Sequence, residues 1–109
     1  MASEVLAVAL NKEITNTEKV LLTVTSGHVF TVLNISICET AGNAETFDLY
    51  IDDDAGGTDY EIYSDQALAA NATFEHTTRI VLTAGDTLCC ALGGTGNVDA
   101  VVSYLDQTL

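Results

Sequence analysis

Apolar and polar residues alternate in short runs along almost the whole of this chain. Phe47, Leu49 and Ile51 interleave with Thr46, Asp48, Tyr50 and Asp52, and Val98, Ala100, Val102 and Tyr104 interleave with Asp99, Val101, Ser103 and Leu105. A period of two sends successive side chains to opposite faces of a strand, so one face of each run can be dry while the other is wet. About eight or nine strands are expected on this spacing: Val5–Leu10, Lys19–Thr25, His28–Cys38, Glu45–Asp52, Asp59–Tyr63, Ala72–Glu75, Arg79–Leu82, Thr87–Leu92 and Asn97–Asp106. Ser64 to Asn71 has room for one helical turn, too short to count as an element.

The breaks between these runs carry turn chemistry. Ser26-Gly27, Ala41-Gly42-Asn43, Ala55-Gly56-Gly57, Ala84-Gly85-Asp86 and Gly93-Gly94-Thr95-Gly96 supply residues that accept positive φ or bond locally to the backbone, in a chain without proline. Turns at this spacing indicate a two-sheet sandwich or a barrel. At 109 residues, 48% hydrophobic and with a mean hydropathy of +0.28, the chain is one domain, residues 1–109, with enough apolar surface to offset the entropy of ordering it.

Charge narrows the partners. Sixteen acids face only Lys12, Lys19 and Arg79, a formal net charge of -13. Nucleic acids and anionic lipid surfaces are both attracted by Lys and Arg, so neither is expected as a partner, and no apolar run approaches the ~20 residues that span a bilayer. The start Met-Ala-Ser-Glu lacks the basic leader of a secretory signal, so folding in a cytoplasm is expected and the sequons at Asn34 and Asn71 read as accidents. Cys38, Cys89 and Cys90 show no disulfide or metal spacing; adjacent Cys89 and Cys90 point to opposite faces and are expected as buried thiols.

Two runs break the alternation. Val5-Leu6-Ala7-Val8-Ala9-Leu10 and Ile80-Val81-Leu82 are apolar on both faces, and Val101 and Leu105 fall on the face of the last strand that should be wet. Such strands mark contacts between subunits, so Val5, Leu6, Val8, Leu10, Val81, Val101 and Leu105 are the expected interface, with residues 1–12 as a docking strand.

Sites of other kinds are weakly marked. The acidic loop from Asp52 to Glu61 places Asp52, Asp54 and Gly57 at the first, third and sixth positions of a calcium loop, and Asp59 adds a further carboxylate. Tyr63 stands at the twelfth position where a bidentate Glu belongs, so Asp52, Asp54 and Asp59 are candidate ligands in what reads as a solvated hairpin, and no cofactor is expected. Tyr50, Tyr60 and Tyr63 flank that loop as a candidate sugar-stacking platform. His28 and His76 have no nucleophile elbow near them in sequence, and no phosphate-cradling glycine loop occurs, so no enzymatic activity is expected.

The stretch Leu22 to Thr40, then Leu68-Ala-Ala-Asn-Ala-Thr-Phe-Glu75 and Ile80-Val-Leu-Thr-Ala-Gly-Asp-Thr-Leu88, resembles small β-sandwich virion proteins of tailed bacteriophages over about residues 20–106. Many of those proteins carry a proline where this chain has Thr25-Ser26. The resemblance implies an antiparallel sandwich of jelly-roll type with about eight strands. It also implies a non-catalytic capsid decoration (cement) protein, or a neck, tail or fibre subunit. Its expected partners are copies of itself, as a homotrimer, and a major capsid or other virion protein, with assembly in a bacterial cytoplasm. A carbohydrate-binding sandwich module is the other reading. The expected core is Leu22, Val24, Leu33, Ile35, Ile37, Phe47, Leu49, Ile51, Phe74, Ile80, Leu82, Leu88, Cys90, Val98, Ala100 and Val102.

Overall fold

The structure, a computed structural model, describes residues 3–53 and 57–109. Every regular element among them is a strand: β1 Ser3–Ile14, β2 Lys19–Thr23, β3 His28–Glu39, β4 Glu45–Asp52, β5 Asp59–Leu68, β6 Thr73–His76, β7 Ile80–Thr83, β8 Thr87–Leu92 and β9 Val98–Thr108. The region given to a helical turn is strand as far as Leu68, because β5 continues its ladder to Glu45 and Thr46 of β4.

The strands form two antiparallel sheets. Sheet A runs β1-β9-β3, with β6 and β7 sharing the far edge of β3, and sheet B runs β2-β8-β4-β5. Since β6 pairs with the C-terminal half of β3 and β7 with the N-terminal half, they act as one broken strand. Eight ribbons in this order, changing sheet at every connection but β4–β5, make a jelly roll, the antiparallel β-sandwich of the expected class.

Positive φ falls at Gly27, Gly42 and Gly85, each in a turn the sequence marks. In the β7–β8 turn Thr83 donates its N–H and its hydroxyl to Asp86 Oδ2, at 2.9 and 3.2 Å, while Asp86 N–H donates to Thr83 O. Gly96 is placed for a different reason. A Cβ there would stand 2.6 Å from Glu45 Cγ, so with a side chain at this position the Glu45 side chain would have to move aside.

Between the sheets Val32, Ile35, Ile37, Phe47, Leu49, Leu82, Leu88, Val98 and Val102 are fully enclosed. Each such side chain contributes about 1.5–3 kcal/mol by leaving water. An aromatic cluster closes one side: Phe47 and Tyr63 of sheet B meet Phe74 of sheet A edge-on, with ring centroids 5.2 and 4.9 Å apart.

One expected core residue is elsewhere. Leu33 sits at a bulge, where the register with β9 shifts between Val32 and Asn34. An extra residue inverts the parity of the residues before it relative to those after it. Phe30 and Val32 therefore face inward before the bulge and Ile35 and Ile37 after it, while Leu33 lies half-buried on the outer side. Ile51, Phe74 and Ile80 pack against the core but are only partly buried.

Candidate docking face

The outer surface of sheet A is built by register. Leu6 stands opposite Leu105, Leu105 opposite Thr31, and Thr31 opposite Val81, a row across four strands. Leu10 stands opposite Val101 and Val101 opposite Ser36; between these rows Val8 faces Ser103 and Ser103 faces Asn34. Leu6 and Leu10 are each 74% exposed, Val81 60%, Val8 54% and Val101 39%, whereas Leu105 is half-buried. Leu33, turned outward by its bulge, joins Leu6, Ala7, Val8, Ser103 and Tyr104 around a shallow groove of about 400 Å³.

The run Val5 to Leu10 divides its two faces by size. Ala7 and Ala9 turn inward, with Ala9 against the core, and the larger Leu6, Val8 and Leu10 turn outward. Val5, 59% exposed, shares the inward parity of Ala7 and so stands on the other face of the strand from Leu6. Charge on the outer face is confined to its ends: Glu4, bonded by Gln107 Nε2 at 3.3 Å, with Lys12 and Asp99 at the other end of β1 and β9 and Glu75 beside Ser36.

Sheet B presents the opposite character. Its outward positions include Asp48 and Asp52 on β4 and Asp59 and Glu61 on β5, with Asp52 directly opposite Asp59 and Tyr50 opposite Glu61. Partial loss of hydration raises the carboxyl of the exposed Asp59 above the usual carboxylate range, reinforced by Asp52 and Glu18. The same loss raises Glu61, with Asp48, Asp59 and Asp65 adding repulsion. Tyr50 donates its hydroxyl to Glu18, and burial together with that carboxylate drives its ionisation far upward.

Of the candidate calcium ligands, Asp52 and Asp59 are neighbours across the β4–β5 hairpin, and Asp54 lies outside the described residues. Asp53 closes that hairpin instead: its Oδ1 accepts the Thr58 N–H at 3.0 Å and its carbonyl accepts the Gly57 N–H at 2.9 Å. Among the described residues no group of three His, Cys, Asp or Glu side chains is arranged to hold a metal ion.

The three tyrosines do not form a platform. Tyr50 is 7% exposed on the outside of sheet B, Tyr63 packs inward with its hydroxyl 2.8 Å from His76 Nδ1, and Tyr60 stands 56% exposed near the end of β5. Tyr60 and Tyr63 stand opposite Ile51 and Leu49, on the inner side of sheet B, whereas Tyr50 stands opposite Glu61 on the outer side. The histidines are separated too, His28 Nδ1 lying 2.7 Å from Asp106 Oδ1 at the far end of β3.

All three cysteines are free. Cys90 faces the core opposite Leu49, Cys89 faces outward opposite Tyr50, and both are fully buried. Burial, with Asp48 adding, pushes the Cys90 thiol up to about 12.

A buried acid, Glu39, went unmarked in sequence. It is 1% exposed, and its carboxylate accepts N–H bonds from Ala41, Gly42, Asn43 and Asn71 at 2.8–3.1 Å. The Asn71 bond leads in holding it below the usual carboxylate range, against the opposing effect of burial. Three donors lie within four residues of it, an arrangement visible locally; the fourth comes from a turn 32 positions away.

Neither a protein-family model nor a curated protein matches this chain. What the structure defines is a class: a jelly-roll sandwich with one apolar outer face and one acidic one.

Proposed function

We propose that this protein is a non-catalytic structural component of a phage virion, a decoration subunit that seats its apolar face on the head. One observation carries the reading. Leu6, Val8, Leu10, Val81 and Val101 are exposed together on sheet A while carboxylates crowd the outside of sheet B. Exposed apolar surface of this kind marks a docking site, and an acidic opposite side stays hydrated and repels further layers. Jelly rolls recur in viral capsid domains, and the sequence motifs resemble small phage virion proteins. Many copies on a repeating lattice make weak single contacts stable in sum.

Immuno-electron microscopy of purified particles tests this. Repeating label over the head surface is the expected result; label confined to neck, tail or fibre moves the subunit there, and particles free of label overturn the proposal.

A further inference from the structure

The four sheet edges are not equally protected. β2 has five residues and a register shift, β5 has two register shifts and carries Asp59, Glu61 and Asp65, and β6 and β7 have four residues each. Short, bulged or charged edges resist further pairing. β1 is the least guarded. It runs in unbroken register with β9 from Ser3 to Asn11, its stretch from Val5 to Leu10 carries no charge, and the bulge that ends it takes in Lys12 and Glu13, the latter at a φ of +58°.

Its residues are also self-complementary in reverse. Reading the outward positions in order gives Glu4, Leu6, Val8, Leu10, Lys12. We infer that β1 pairs antiparallel with β1 of a second copy about a two-fold axis at Val8, joining two sheets A into one. Val8 then faces its own copy, Leu6 faces Leu10 of the other chain, and Glu4 faces Lys12. Both chains contribute the pattern, so each contact occurs twice, as a two-fold interface requires. Moving the axis to Ala7 sets Glu4 opposite Leu10, and moving it to Ala9 sets Lys12 opposite Leu6, so only the Val8 axis matches both the charges and the apolar residues. Opposite charges across strands and aliphatic pairs stabilise such a ladder.

For a chain of net charge -13 the second copy is otherwise a repulsive partner, and β1 spends one of its three cations, Lys12, where it meets an acid. The pairing goes beyond the reading above and rests on β1 rather than on the virion. It replaces the expected trimer by a pair, and it leaves the apolar outer faces side by side and open.

Sedimentation of the full chain is expected to give twice the 11.5 kDa of one protomer. Under mild oxidation Val8→Cys should cross-link to itself, because directly opposed strand residues lie within disulfide reach. Leu10→Cys should not, its copies standing roughly 14 Å apart at 3.4 Å per residue. A mixture of Leu6→Cys and Leu10→Cys chains should cross-link. Lys12→Glu is expected to weaken the pair about tenfold, and Glu4→Lys with Lys12→Glu in one chain to restore it. A monomer at all concentrations, a trimer, or a dimer without the Val8→Cys cross-link overturns the inference. Particles labelled by a protein that is monomeric would leave the virion reading standing without it, and a cross-linked dimer absent from particles would do the reverse.

Discussion

Glu39 Oε1 accepts the backbone N–H of Asn71 at 3.0 Å, which ties the β3–β4 turn to the turn between β5 and β6. Asn71 holds a φ of +58° to make that bond, and Glu39 N–H donates in turn to Ala72 O at 3.0 Å. One carboxylate therefore organises two turns, each of which crosses from one sheet to the other. Glu39→Ala is expected to lower the melting temperature by roughly 5–10 °C, since backbone donors lose a charged acceptor. Glu39→Gln, which accepts through one oxygen only, should fall between. Calorimetry at neutral pH checks both.

The pH profile of stability should rise and then fall on acidification. Asp59 and Glu61 have folded pKa values raised above their ordinary 3.8 and 4.5, so protonating them as pH drops from neutral favours the folded chain. Glu39 is shifted the other way. Its stabilisation is complete above its unfolded value near 4.5 and is lost as pH falls through the lower folded value. Urea midpoints across this range are expected to peak on the acid side of neutrality and to drop below about pH 4; for Glu39→Gln the acid limb should flatten.

The bulge in β3 is open to a direct comparison. Val32→Ala empties a fully enclosed position and should cost about 2 kcal/mol, whereas Leu33→Ala, removing the larger side chain from the outer groove, should cost less than about 1 kcal/mol. Equal losses would mean that the register shift is misplaced.

Thiol reactivity should separate the cysteines. Cys89 and Cys90 are buried with raised pKa values, so a thiol reagent at pH 8 is expected to modify only the half-buried Cys38 in the native protein and all three after unfolding.

The two uses proposed for sheet A separate by position. Val81→Asp changes an exposed site three strands from the β1 edge, so stability should shift by less than about 1 kcal/mol and the two-fold pair should persist. Association with particles should be lost. Pull-down on purified heads alongside sedimentation reads both effects.

Strand composition was legible along the chain because side-chain alternation is a local property. Phe47, Leu49 and Ile51, or Val98, Ala100 and Val102, declare their inward face within a few residues, and the turns at Gly27, Gly42 and Gly85 declare themselves by a residue type that accepts the positive φ found there. The two-sided apolar run at Val5 to Leu10 was legible for the same reason. Tertiary structure decided the rest. Leu33 points outward and Val32 inward because one residue is left unpaired against β9, and nothing within β3 itself marks which residue that is. Tyr60 and Tyr63 share the inner side of sheet B, away from Tyr50, only through a register shift between β4 and β5, and Glu39 collects a donor from Asn71 only once the sheets have packed. Periodicity states which side chains share a face; bulges and turns joining distant segments are settled by pairing energy between strands, which no single stretch of sequence contains.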